Sequence, residues 1–297
     1  MRILLLGRDG QIGWELQRSL LPQGEVVAVG HPEIDLTDFK KLKELVQNVR
    51  PQIILNAAAY TNVELAESEP EQALAVNGTA PGILAEEAKA LHALLIHYST
   101  DYVFDGEKGS PYIESDRPNP INMYGKSKLI GEQSIQQVGG AYLILRTSWV
   151  YSLRKKCFVT NLLAWARKNQ TLRIVTDQVS NPTWCRMLAV ATARILEGTS
   201  HSINRLKERS GLYHLAGSGY TSRFDFARAI LANLPADFPS LVERILPAST
   251  QDFHDQARRP KFSALNTSKF SQLFPVEIPA WEHSLQLALG DPSAYSC

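Results

Sequence analysis

Tyr124 and Lys128 stand four residues apart in Tyr124-Gly-Lys-Ser-Lys128, and on a helix that spacing puts both side chains on one face. A free phenol titrates near about 10, which makes it a poor acid–base group at neutral pH. An adjacent ammonium favours the phenolate and lowers that value. Such a pair can hand a proton to a carbonyl oxygen while hydride arrives at the carbonyl carbon. Thr100, within Tyr98-Ser-Thr-Asp-Tyr-Val-Phe104, supplies a hydroxyl that can hold that oxygen and stabilise its developing charge. A Tyr-x-x-x-Lys pair on its own is equally a surface pair. The order Thr100, Tyr124, Lys128 behind a strand is what favours catalysis.

Hydride needs a donor, and the N-terminus offers a site for one. Gly7-x-x-Gly10-x-x-Gly13 follows a short apolar run and opens a helical pattern. Glycines there permit a tight turn and let backbone approach a pyrophosphate, and the helix N-terminus presents free N–H groups to the phosphates. The next strand ends at Val29-Gly30-His31 without the carboxylate that usually binds the ribose 2′-hydroxyl. Arg8 lies inside the turn and either faces a 2′-phosphate or is solvated. These features favour NADPH, with NADH still open. Asp35 and Leu36 either flank the adenine or, for Asp35, serve a turn or helix cap.

These groups need elements to hold them. Apolar runs at residues 3–6, 25–29, 52–56, 94–99 and 142–147 alternate with helical patterns at 12–21, 39–49, 69–76, 82–91 and 124–137. That alternation predicts an α/β fold with a Rossmann-type doubly wound parallel sheet, whose ligands gather at the carboxyl ends of the strands. After Tyr151 the pattern loosens: helices are predicted at 158–168, 187–196 and 224–234, short strands at 172–175 and 212–215, with proline-rich connections beyond. The expected division is a cofactor domain over residues 1–151, with about 183–216 returning to it, and a smaller α/β substrate lobe over about 152–182 and 217–297.

Composition narrows the function classes. A formal net charge of +1 and the lack of a long Lys/Arg run argue against a nucleic-acid partner. Arg154-Lys155-Lys156 reads as a solvated turn. No apolar run approaches the length of a membrane span, and Gly7 ends the first run too early for a signal peptide. Cys157, Cys185 and Cys297 are too few and too widely spaced for a disulfide framework or metal knuckle. Reduced thiols in a cytoplasmic protein are expected.

Several stretches together resemble the extended short-chain dehydrogenase/reductase superfamily and, within it, the dTDP-4-dehydrorhamnose reductases. They are Gly7-Arg-Asp-Gly-Gln-Ile-Gly-Trp-Glu-Leu16, Asn56-Ala-Ala-Ala-Tyr-Thr61, Ala66-Glu-Ser-Glu-Pro70, His97-Tyr-Ser-Thr-Asp-Tyr-Val-Phe104, Tyr124-Gly-Lys-Ser-Lys128, Arg146-Thr-Ser-Trp-Val-Tyr151, Gly211-Leu-Tyr-His-Leu215 and Ala257-Arg-Arg-Pro260. The resemblance implies cofactor contacts from Gly10, Gln11, Ile12, Asp35, Leu36, Ala57, Ala58, Ala59, Tyr124 and Lys128. It implies that Thr100 and Asp101 hold the sugar, that Tyr124 donates the proton and that Trp149 stacks on the deoxyhexose. Arg258 and Arg259 fall where the second lobe approaches a nucleotide diphosphate; the bland reading of both is a surface salt bridge, and that of Trp149 is core. Some members bind Mg²⁺ at a dimer interface through glutamates. Glu15 matches the first, but Arg186 stands at the second, so no such metal is expected, and the chain is a monomer or homodimer.

The resulting expectation is NADPH-dependent reduction of the C4 keto group of dTDP-6-deoxy-L-lyxo-4-hexulose to dTDP-L-rhamnose. Two rivals stay open: another nucleotide-sugar reductase or epimerase, and a non-catalytic subunit like the regulatory subunit of methionine adenosyltransferase, which resembles the same family.

Overall fold

The computed structural model describes residues 1–197 and 203–290; Cys297 and the expected end of the second lobe lie outside the described residues. The chain begins β1 (Arg2–Leu6), α1 (Gln11–Ser19), β2 (Glu25–Val29), α2 (Phe39–Val49) and β3 (Ile53–Asn56). Next come the short helices α3 (Val63–Ser68) and α4 (Pro70–Leu74), running through a π turn at Ala75–Thr79 into α5 (Ala80–Ala90). β4 (Leu94–Thr100), α6 (Met123–Val138) and β5 (Ala141–Thr147) complete the regular half. Beyond it lie β6 (Val150–Tyr151), α7 (Phe158–Ala166), β7 (Thr171–Val175), β8 (Val179–Ser180), β9 (Thr183–Trp184), α8 (Cys185–Leu196), α9 (Ile203–Glu208) and β10 (Gly211–His214). β11 (Thr221–Ser222), α10 (Arg223–Ala232), β12 (Arg244–Ala248), α11 (Ser268–Leu273) and α12 (Trp281–Leu289) follow.

Six strands form one parallel sheet in the order β10-β5-β4-β3-β1-β2. Its inner strands β1, β3 and β4 are buried on both faces, and successive side chains point to opposite sides. Ile3, Leu5, Ile53, Leu55, Leu94 and Ile96 therefore pack on one side with Leu16 of α1, Leu20 at its C-terminal end and the apolar stripe of α8. Leu4, Leu6, Ile54, Leu95 and Ile144 pack on the other with Leu42 and Val46 of α2 and Leu84 and Ala88 of α5. β1 lies between β3 and β2, so the connections leaving β1 and β3 part in opposite directions and open a crevice at the strand ends.

A third apolar cluster gathers Val159 and Leu162 of α7, Leu172 and Ile174 of β7, Phe226 and Ile230 of α10, and Trp281 and Leu285 of α12. It carries two-stranded pairings: β12 with β7, β11 with β8, β6 with β9. Two segments depart from the sequence reading. α3 is capped by Asn62, whose side chain accepts from the Leu65 N–H, and it ends at Ser68 before Pro70 opens α4. β12 contains Pro247 and was expected as a connection. A proline that cannot donate to a ladder is tolerated in a two-stranded edge pairing. Among the described residues no helix is long and apolar enough to cross a membrane.

Candidate active site

A cleft of about 1060 Å³ runs along the carboxyl ends of the sheet strands to the third cluster. At one end is the glycine turn. Gly7 has φ +85°, and a Cβ there would meet the Ala58 backbone nitrogen at 2.7 Å, so the ends of β1 and β3 touch backbone to backbone. The Gly10 N–H closes the turn on the Gly7 carbonyl at 3.0 Å. α1 then starts with no side-chain cap on its Gly10 N-cap, leaving first-turn N–H groups for a ligand. Gln11 Oε1 is buried with no partner and lies in the cleft wall. An open helix N-terminus and an unsatisfied polar atom beside it fit a dinucleotide diphosphate. Gly7, Gly10, Gln11, Ile12, Asp35, Leu36, Ala57, Ala58 and Ala59 all line this part of the cleft, with Asp9 and His31, which the sequence reading passed over. Asp35 is held below the ordinary carboxylate range chiefly by the Thr37 N–H, then by the Thr37 hydroxyl.

Two residues expected here stand elsewhere. Gly13 is buried inside α1 against the Gly7 carbonyl. Arg8 is turned out of the cleft wall: its guanidinium donates to the Ala28 carbonyl at 3.2 Å and to Glu33. Glu33 also accepts from the Gly30 N–H at 2.9 Å, so a carboxylate does lie just past β2 and neutralises Arg8. The sequence reading stopped at His31 and missed it.

The catalytic trio comes together at the end of β4. Asn122 caps α6 by accepting from the Gly125 N–H at 2.8 Å. A Cβ on Gly125 would lie 2.1 Å from the Tyr102 carbonyl, so only glycine lets the helix start this close to the loop after β4. Tyr124 is thereby set beside Thr100 and edge-on to Tyr102 at 5.8 Å. Both Thr100 and Tyr124 line the cleft with Lys128.

Lys128 does not tune Tyr124 in this arrangement, contrary to the expectation from their spacing. Burial pushes the phenol above its ordinary value, with the Thr100 hydroxyl opposing. Lys128 is 2% exposed, and its Nζ reaches the Tyr98 carbonyl at 2.6 Å and His97 Nε2 at 3.1 Å. Burial lowers its pKa to about 8, opposed by Glu132. The hydrogen-bond polarity agrees. The Ala58 N–H donates to Asn56 Oδ1 at 3.2 Å, which turns the Asn56 amide nitrogen to His97 Nδ1 at 3.1 Å. His97 then carries its proton on Nε2, facing Lys128, and that contact is satisfied only by a neutral amine. Burial also holds His97 well below its usual range, with Lys128 adding to the effect.

Asp101 is 2% exposed and accepts from the hydroxyls of Thr100, Ser180 and Ser263. Burial raises its pKa to about 6, and the hydroxyls oppose the rise. It lines the cleft but is already bonded to both sides of it. Deeper still, Glu132 pairs bidentately with Arg146 and accepts from Ser99.

On the far wall are Trp149, Phe158, Arg223 and Arg259. Trp149 sits at φ +36°, a strained conformation for a bulky residue, and Arg223 Cζ lies 3.6 Å from its ring centroid. Arg259 pairs with Glu64 at 2.6 Å and Asp255 at 3.3 Å and donates to the Tyr102 hydroxyl. Arg258 is exposed and outside the cleft wall; its carbonyl accepts from Asn122 Nδ2. Arg223 was missed. Ser222 and Asp225 announce a helix start, but nothing local says that the first residue of α10 faces the cleft. Arg186 pairs with Glu15 at 3.1 Å.

The chain matches the family described as RmlD substrate binding domain over residues 1–293. It is 42% identical to the dTDP-4-dehydrorhamnose reductase of Burkholderia thailandensis, over 98% of this chain and 99% of that protein. Among solved structures it is similar to a dTDP-4-dehydrorhamnose reductase of Clostridium acetobutylicum, with TM-score 0.88, 31% identity and coverage of 98% and 99% of the two chains. The same enzyme of Bacillus anthracis in complex with NADP gives TM-score 0.87 at 31% identity, covering 98% and 99%.

Proposed function

The chain belongs to the RmlD family of dTDP-4-dehydrorhamnose reductases, and from that premise we propose that it reduces the C4 keto group of dTDP-6-deoxy-L-lyxo-4-hexulose with NADPH, giving dTDP-L-rhamnose. The dinucleotide, when bound, would supply the hydride that C4 receives. Tyr124 gives its proton to O4 as the carbonyl becomes an alcohol. A phenol kept protonated by burial starts the reaction in the state a proton donor requires. Thr100 holds the carbonyl oxygen beside it. Lys128 and Tyr124 meet the nicotinamide ribose, while Gly10, Gln11 and Ile12 present the start of α1 to the diphosphate. Asp35, Leu36 and Ala57 to Ala59 border the adenosine half. Asp101 fixes the Thr100 turn, and Trp149 forms the platform for the sugar. A cytoplasmic setting, with Cys157 and Cys185 as free thiols, belongs to the same proposal.

The observation that carries the reading is the meeting of Thr100 and Tyr124 in one cleft with the uncapped start of α1 and the unpaired Gln11 Oε1 beside it. Purified protein is expected to oxidise NADPH only when the keto sugar is present. Tyr124→Phe should lower kcat by roughly 10²-fold or more, the usual contribution of a positioned acid, while NADPH affinity changes little. Turnover retained by Tyr124→Phe refutes the assigned donor.

A further inference from the structure

Arg223 is the first residue of α10, capped by Ser222, and it lies in the cleft wall. Its guanidinium is pressed against two aromatic rings, with Cζ 3.6 Å from the Trp149 centroid and 4.5 Å from that of Phe158. The rings displace water from its faces and leave its N–H edge as the polar part. Among the described residues no carboxylate forms an ion pair with it. The other arginines of the cleft wall are compensated: Arg173 by Asp252, Arg259 by Glu64 and Asp255. Asp225, two residues further along the helix, is turned to Arg228 and Ser222. Burial lowers the Arg223 pKa to about 10, and the charge of Arg259 pushes the same way. Tyr102 and Asp101 oppose this, but Asp101 is already held by three hydroxyls. A half-buried cation whose faces are covered by two aromatic rings, and which no carboxylate pairs, leaves its N–H edge open to an anionic ligand.

We propose that Arg223 is the receptor for the diphosphate of the nucleotide sugar. The assignment rests on the reductase reading above and adds a residue to it. It also replaces the expected pair: Arg258 is outside the cleft wall, and Arg259 is committed to Glu64 and Asp255. A planar guanidinium with a free edge matches two phosphate oxygens at once. In this arrangement Arg223 occupies the ring of Trp149, so the diphosphate draws the arginine away and uncovers the platform for the sugar. Phosphate recognition and sugar stacking become one event.

The test is calorimetric titration of the full chain with dTDP and with thymidine, alongside steady-state kinetics with the keto sugar. Arg223→Gln is expected to weaken dTDP roughly 10- to 100-fold, as loss of a charge-assisted hydrogen-bonding pair does. The KM for the keto sugar should rise by a similar factor. Thymidine binding, NADPH binding and kcat at saturation should stay within about threefold. Arg223→Lys, which keeps the charge and loses the fork, should fall between, and it carries the test if the glutamine variant does not fold. Unchanged dTDP affinity in these variants overturns the proposal, as does an equal loss of dTDP and thymidine. Wild-type protein that binds dTDP through Arg223 but reduces no keto sugar overturns the reductase reading alone. Normal turnover with normal KM in Arg223→Gln overturns this assignment alone.

Discussion

At Lys128 the sequence pays for chemistry with stability. Its folded pKa is about 8, against about 10.5 in the unfolded chain. Between those values the unfolded chain binds the extra proton, so stability rises with pH across the window. Below about 8 the full penalty is present. The gap corresponds to roughly 3 kcal/mol, of which most is relieved between about pH 7 and about pH 10. Lys128→Met removes this penalty. It also leaves the His97 Nε2–H without an acceptor, a loss felt only at pH values where the wild-type amine is neutral and can accept, so it acts in the same direction as the titration. Urea unfolding at the two pH values should therefore show wild type gaining about 2–3 kcal/mol relative to Lys128→Met as pH rises. A stability difference that stays constant with pH would show that Lys128 is not buried in this way.

The elements bring these residues together by steric fit. α6 can begin where it does because Gly125 adds nothing between the helix and the Tyr102 carbonyl. Alanine normally stabilises a helix over glycine by about 0.5–1 kcal/mol, whereas forcing a methyl into a packed site costs about 1–3 kcal/mol. At 2.1 Å from a backbone oxygen the second effect wins. Gly125→Ala is expected to lower the melting temperature and to cut kcat at least about tenfold, by moving Tyr124 from Thr100. Full activity in that variant would show that the close approach is not what sets the catalytic geometry. The same element shows what the sequence made legible. The alternation of strand and helix, the glycine turn and the trio Thr100, Tyr124 and Lys128 follow from local spacing; the cleft wall holds the trio with Gly7 and Gly10, while Gly13 is buried in α1. What spacing cannot express is direction. Lys128 and Tyr124 share a helix, yet Lys128 turns to His97, a strand residue 31 positions earlier. Arg8 sits in the phosphate-binding turn, yet Glu33 claims it. Arg258 and Arg259 are neighbours that part company, because Glu64 and Asp255 accept only the second. Each outcome depends on a partner distant in sequence.

Over the whole molecule, the chain path decides how the parts unfold. After entering the third apolar cluster through β6, it returns to the sheet by way of α8 against α1 and β10 against β5, then leaves again into α10. The segment following β12 crosses back once more. Glu64 of α3 accepts from the Gln256 and Ala257 N–H groups and pairs with Arg259, Asn122 donates to the Arg258 carbonyl, and Ser263 donates to Asp101. Neither cluster can open without releasing chain that belongs to the other, so a single cooperative transition is expected. Far-UV circular dichroism reports largely on the sheet and its helices. Tryptophan fluorescence is weighted to the far side, where Trp149, Trp184 and Trp281 pack on the third cluster. The two urea curves should superimpose. Glu64→Ala removes a half-exposed ion pair and the acceptor for two backbone donors, a loss of about 1–2 kcal/mol. It should move both curves to lower urea together. If the fluorescence midpoint shifts and the dichroism midpoint does not, the crossing segment joins two independently folding units, and the interleaved path does not enforce cooperativity.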